Sequence, residues 1–129
     1  MKKNTLSITI QRPRSVVFAF TLNPKNTPRW IEGITEEVAS EWPPKIGTIY
    51  KNRGASGSWS HYVITAFETD VMMEMQMIDS NYHVRYTYTP INDNASQLEY
   101  HEWVDEGDLA EPFAQETIVK LKDVIENEA

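Results

Sequence analysis

The chain opens on an alternation: Leu6, Ile8 and Ile10 are interleaved with Thr5, Ser7 and Thr9. That is the period-two pattern of a strand with one buried face. Pro13 then stands where a first helical turn tolerates it, and the apolar block over 14–21 predicts a short helix. Asn23-Pro24 restarts the chain, and 25–31 reads as a second short helix ending near Gly33. A weak strand over 34–40 stops at the Trp42-Pro43-Pro44 breaker. From Ile46 onward the period is two again, with turn signals at Gly54-Ala55-Ser56-Gly57, Thr69-Asp70, Asp79-Ser80 and Ile91-Asn92-Asp93-Asn94. Five strands in an antiparallel meander follow, at about 46–53, 58–68, 71–78, 81–90 and 95–104. Asp108 is a candidate N-cap with Glu111 as its capping-box partner. Leu109, Phe113, Ile118, Leu121, Val124 and Ile125 then give a helical stripe to about residue 127. The expected fold class is α+β, with a seven-stranded antiparallel sheet, two short helices between strands 1 and 2, and a long final helix over 108–127. One domain over 1–129 is expected, without repeats, linkers or low-complexity segments.

Register follows from keeping like residues opposite one another. Across Asp79-Ser80, Met77 pairs with Tyr82, Met75 with Val84, Met73 with Tyr86 and Glu74 with Arg85. Across Thr69-Asp70, Tyr62 pairs with Met77, Ile64 with Met75 and Ala66 with Met73. Across 91–93, Val84 is expected opposite Tyr100, Tyr86 opposite Leu98, and Arg85 opposite Glu99. A slip of one residue in either hairpin flanking the 81–90 strand would set apolar against polar throughout. The inner face then reads Tyr62, Ile64, Met73, Met75, Met77, Tyr82, Val84, Tyr86, Tyr88, Leu98, Tyr100 and Glu102. An ordinary core is mostly Leu, Ile and Val, because each buried tyrosine hydroxyl needs a partner. Five tyrosines, three methionines and a carboxylate instead suit an adaptable cavity with a few polar handles. Phe113 and Leu121 of the last helix are expected to close it. The outer face is expected to show Tyr50, Trp59, Phe67, Met72 and Trp103, a row that suits contact with a partner, a second copy of the chain included.

Charge narrows the partners. The 129 residues carry a formal charge of −7, with nine basic and four acidic side chains over 1–53 but two and ten over 99–129. No Lys/Arg cluster exists beyond Lys2-Lys3, which speaks against nucleic acid. The longest apolar run, 16–20, is far short of the ~20 residues of a membrane span, and the opening alternation contains no signal-peptide block. There is no cysteine, hence no disulfide, thiol nucleophile or thiolate metal site. A cytoplasmic protein without cofactor is the expectation.

The candidate chemistry is sparse. His83 and His101 are expected to face each other on the outer surface, yet zinc needs three or four ligands and the next outward neighbour is Gln76, so no metal is expected. No serine sits in a Gly-x-Ser-x-Gly turn, and neighbours such as Ser60 and His61 point to opposite faces of a strand. Glu102, expected opposite Tyr82, is the one candidate for acid–base work, since a carboxyl in an apolar pocket holds its proton more tightly. Alternatively it is solvated at the open end, or pairs with Lys51, which faces inward with Ser60 if the Gly54–Gly57 turn has four residues.

The order strand, two short helices, long meander and final helix resembles the helix-grip fold of the START-like superfamily often called SRPBCC. That superfamily includes members similar to polyketide cyclase/dehydrase and to the activator of Hsp90. The resemblance rests on 8–18 for the opening strand and helix, Asn23-Pro24 to Trp30 for the second helix, Ile46-Gly47-Thr48 for the start of the third strand, and 62–68 for the fourth. It implies a sheet curled around the last helix with a ligand cavity between them, and places Trp30 near the cavity mouth. Three functions remain open. The first is a carrier or sensor for a small hydrophobic or partly aromatic molecule. The second is a cyclase- or dehydratase-like enzyme using Glu102 and tyrosine hydroxyls. The third is a co-chaperone-like interaction module. A homodimer through the outer face or an edge of the sheet is also expected.

Overall fold

The computed structural model describes residues 1–128; Ala129, the last residue of the expected domain, lies outside them. The chain order is β1 (Lys3–Ile10), α1 (Arg14–Leu22), a 3₁₀ helix (Pro24–Arg29), β2 (Glu36–Ala39), β3 (Ile49–Arg53), β4 (Trp59–Glu68), β5 (Met72–Met77), β6 (Tyr82–Asn92), β7 (Ala95–Val104) and α2 (Gln115–Glu126). The seven strands form one sheet in the order β1-β7-β6-β5-β4-β3-β2, antiparallel at every pairing. The two short helices carry the chain from one edge strand, β1, to the other, β2. The inner face is covered by α1, which packs on β6 and β7, and by α2, which packs along β1. Ile10, Val17, Leu98, Ile118 and Leu121 are sealed at the centre of this layer. Each such side chain contributes roughly 1.5–3 kcal/mol of burial.

The meander follows the expected pattern with instructive exceptions. The β5–β6 hairpin has the expected register, with Met73 opposite Tyr86 and Glu74 opposite Arg85. Its turn works because Asp79 adopts φ 62, a left-handed conformation that Asp tolerates. The β6–β7 register differs from expectation by two residues: Tyr86 faces Tyr100, Val84 faces Glu102, and Arg85 faces His101 rather than Glu99. Asn92 pairs with Ala95 around a tighter turn, and an irregularity between Pro90 and Asn92 absorbs the difference. A slip of two leaves every side chain on its own face, so the inner row survives. His83 consequently faces Trp103, not His101.

Three further expectations are corrected. A bulge in β4 between Ile64 and Ala66 sets Ala66 opposite Glu74 and Phe67 opposite Met73. Phe67 therefore turns inward, edge-on to Phe18 at 5.6 Å between ring centroids. The β3–β4 connection is one residue longer than supposed, so Tyr50 pairs with Tyr62 and Asn52 with Ser60. That single residue inverts β3: Tyr50 is buried, and Lys51 faces out over the Trp59 ring at 4.8 Å. Finally, α2 begins at Gln115, not at Asp108. Pro112 would stand in the second half of a first turn capped by Asp108, where it has no N–H to give and crowds the preceding carbonyl. Asp108 instead accepts a hydrogen bond from the N-terminal amino group at 3.1 Å.

Candidate ligand-binding cavity

Between the curved sheet and the helices lies a cavity of about 120 Å³. Its floor is built from alternate residues of the central strands: Tyr62 of β4, Met73 and Met75 of β5, Tyr82, Val84 and Tyr86 of β6, and Tyr100 of β7. Phe113, from the extended segment before α2, closes one side with its ring stacked on Tyr100 at 4.4 Å. These eight were expected at the site and the structure brings them together. Ile64, Met77, Tyr88, Leu98, Glu102, Leu121 and Trp30 do not border the cavity. Ile64, Leu98 and Leu121 are sealed core, and Tyr88 lies beneath it with its hydroxyl 2.6 Å from that of Thr21. Trp30 stands behind the wall rather than at a mouth. It is 2% exposed, edge-on to Tyr86 and Phe113, and its Nε1 has no hydrogen-bond partner among the described residues.

Sequence reasoning missed the other wall. Thr21, Thr27, Ile31, Ile34, Glu37, Tyr50 and Asn52 also line the cavity. Glu37 on β2 is its one carboxylate. The Thr27 hydroxyl donates to Oε1 at 2.6 Å and the Asn52 amide donates to Oε2 at 3.1 Å. Burial pushes the Glu37 carboxyl above its ordinary range, against the pull of those two hydrogen bonds. The signal was the alternation in β2 and β3: Glu37 pairs with Asn52 and Ala39 with Tyr50, so one inward tyrosine fixes the face of all four.

Glu102 has a different situation from the one expected. It is 1% exposed and enclosed by donors. The Tyr82 hydroxyl donates to Oε1 at 2.7 Å, while the Asn4 amide at 2.9 Å and the Phe113 backbone N–H at 2.7 Å donate to Oε2. No cation pairs with it among the described residues. Its carboxyl ties β1, β6, β7 and the segment before α2 together, which is a fastening role.

The tyrosines remain neutral donors and acceptors over the physiological range. Burial is the largest cause pushing up each of Tyr50, Tyr62, Tyr82, Tyr86 and Tyr100. Tyr50 donates to the Leu22 carbonyl at 2.7 Å, whereas the hydroxyls of Tyr62 and Tyr86 make no hydrogen bond among the described residues. The cavity thus offers two uncommitted hydroxyls and a half-satisfied carboxyl within an aromatic and thioether lining.

On the outer face, His83 stacks on Trp103 at 4.8 Å and bonds to Asp105 at 3.0 Å, while His101 meets Thr5 at 2.6 Å. Among the described residues no three His, Asp or Glu side chains stand together as metal ligands.

The sequence model of the family described as polyketide cyclase / dehydrase and lipid transport matches residues 1–127. The chain belongs to that family. Solved structures agree in fold. A START superfamily protein from Mycobacterium smegmatis superimposes with TM-score 0.71 at 12% identity, over 98% of this chain and 95% of its own. The Aha1 dimer from Colwellia psychrerythraea gives 0.70 at 11% identity, over 98% of each chain. A protein from Chromobacterium violaceum gives 0.69 at 13% identity, over 99% of this chain and 100% of its own. No curated protein matches the sequence. At these identities the likeness is one of architecture, and architecture alone does not choose among carriers, cyclases and co-chaperones. No helix of the described chain is long and apolar enough to cross a membrane.

Proposed function

We propose that this protein binds a small, flat, partly aromatic molecule in the cavity between the sheet and the helices, as a carrier or sensor. The cavity itself carries the reading: about 120 Å³, walled by tyrosine, methionine and phenylalanine, with one carboxyl and two free hydroxyls. One water needs only ~10–15 Å³, while a dry cavity of roughly 150 Å³ accommodates benzene. Drug-sized sites run to ~300–1,000 Å³, so this cavity suits a molecule of about one ring rather than an acyl chain. The family's description, which includes lipid transport and cyclase members, supports a ligand-holding use of the fold. Native mass spectrometry of the purified protein, followed by calorimetric titration with benzyl alcohol, tests the reading. Saturable binding that changes by about 1 kcal/mol or more in Tyr86→Ala is expected, since that ring forms part of the wall. Heatless titrations and a spectrum free of adducts would reject it.

One observation favours a second reading as a cyclase- or dehydratase-like enzyme, namely that the raised carboxyl inside the cavity is Glu37. In that reading Glu37, which lines the same cavity as Tyr62, is the proton donor, and Glu102 keeps only its fastening role. Loss of turnover by ~10²-fold or more in Glu37→Gln, with ligand still bound, would favour this alternative.

Self-association is a further part of the proposal. His83 stacked on Trp103, with His101 tilted against the same indole, forms an aromatic patch on the outer face, and a structural relative is an Aha1 dimer. Sedimentation at high micromolar concentration should show a dimer that Trp103→Ser weakens; a monomer there would remove it.

A further inference from the structure

The cavity is one-sided in charge. Among its lining residues Glu37 is the single carboxylate, and no Lys, Arg or His accompanies it. Glu37 makes no ion pair among the described residues. A carboxylate offers about four lone-pair positions, and Thr27 and Asn52 occupy two. Glu37 is half-buried and has given up part of its water without receiving a cation, and that burial raises its carboxyl. Its negative field is felt on β3 and β4: second only to burial, it pushes up the hydroxyls of Tyr50 and Tyr62. Glu102 cannot play the same part, because its three donors are already in place and it does not border the cavity.

The rings add to this one-sidedness. Tyr62, Tyr82, Tyr86, Tyr100 and Phe113 all border the cavity. Aromatic faces attract cations within about 6 Å of the ring centre, most strongly where water is excluded. Glu37 also borders an open groove on the solvent side, beside Lys25, Glu41 and Trp42, so a charged group has a short route to it from outside. Lys25 lies in that groove and not in the cavity.

We infer that the ligand is a small protonated amine carrying one ring, with its ammonium group against Glu37 between Thr27 and Asn52 and its ring among Tyr62, Tyr86 and Phe113. This rests on the ligand-binding reading above and narrows it. Carboxylates and phosphates are excluded, since they would meet Glu37 and no compensating cation. The ammonium supplies the countercharge that Glu37 lacks and satisfies its remaining acceptor positions.

Three probes of nearly equal size separate the outcomes: benzylamine, benzyl alcohol and benzoate, titrated calorimetrically into the wild-type protein at neutral pH. Benzylamine is expected to bind about tenfold or more tightly than benzyl alcohol, and benzoate not at all. In Glu37→Gln, which keeps the shape and one acceptor, the preference for the amine over the alcohol should shrink about tenfold. Equal affinity for amine and alcohol, or an amine preference that survives Glu37→Gln, overturns the inference and leaves ligand binding standing. Failure of every probe to bind overturns both. The wild-type series decides the question even if the variant does not fold.

Discussion

Replacing Glu102 with alanine removes the acceptor for three donors that the fold has drawn out of water. One of them has somewhere else to turn, since the Tyr82 hydroxyl lies 3.4 Å from that of Tyr100, and the Asn4 amide keeps its second hydrogen bond, to the Phe113 carbonyl at 2.9 Å. The Phe113 N–H has no alternative acceptor among the described residues. An unmet buried donor costs roughly 1–3 kcal/mol, and hydrogen bonds to a charged group contribute roughly 1.5–3 kcal/mol each. Allowing for partial re-pairing, Glu102→Ala should destabilise by about 3–5 kcal/mol, a large fraction of the ~5–15 kcal/mol typical of a domain. Glu102→Gln behaves differently. Its carbonyl serves Asn4 and Phe113, its amide faces Tyr82, and the Tyr82 hydroxyl turns from donor to acceptor, for a cost of about 1 kcal/mol. Urea unfolding followed by tyrosine and tryptophan fluorescence reads both. At a slope of ~1–3 kcal/mol per molar, the alanine midpoint should fall by roughly 1–5 M with the slope unchanged. A loss under about 1 kcal/mol for alanine, or equal losses for the two variants, would refute the fastening role argued from these distances.

Glu37 should leave a signature in the pH dependence of stability. Its folded carboxyl lies above the ordinary value of 4.5, so its contribution is fully present below that value and is lost as pH rises through the folded one. Urea midpoints of wild type and Glu37→Gln should therefore diverge in favour of glutamine as pH climbs from about 4.5 toward neutrality; parallel curves would contradict the burial argument. Gly54 packs so closely that an added methyl would meet the Gly33 backbone oxygen at 2.3 Å. Gly54→Ala should cost about 1–3 kcal/mol by thermal melting and disturb the loop bearing Ile31 and Ile34, two residues of the cavity wall. An unchanged melting temperature would mean that this loop gives way freely.

What the sequence revealed depended on whether an error of counting changed parity. The β6–β7 hairpin was displaced by two residues, yet Tyr82, Val84, Tyr86 and Tyr100 kept their inward face. The β3–β4 loop exceeds the expected length by one residue, and that difference alone brings Tyr50 inward and sends Lys51 out. Because β2 pairs with β3, the same one-residue difference brings Glu37 and Asn52, the polar end of the cavity, to the inner face. The bulge in β4 is invisible to an alternation rule for the same reason: strict alternation puts Phe67 on the outer face, and the bulge turns it inward. At the C-terminus Asp108 and Glu111 imitate a capping box, but Pro112 and the Phe113 bond to Glu102 keep that stretch extended. For Trp30 the family resemblance supplies neighbourhood but not depth; its indole is sealed behind Tyr86 and Phe113.

The methionines provide the most direct test of ligand binding in this cavity. Met73 and Met75 border it, while Met1 is 65% exposed and Met72 lies on the opposite side of β5. With carbon-13 methyl-labelled methionine, benzyl alcohol titrated into the protein should shift the Met73 and Met75 resonances saturably and leave those of Met1 and Met72 in place. Resonances that do not move, or that move at Met1 and Met72 instead, would show that the space between sheet and helices is not where a ligand goes.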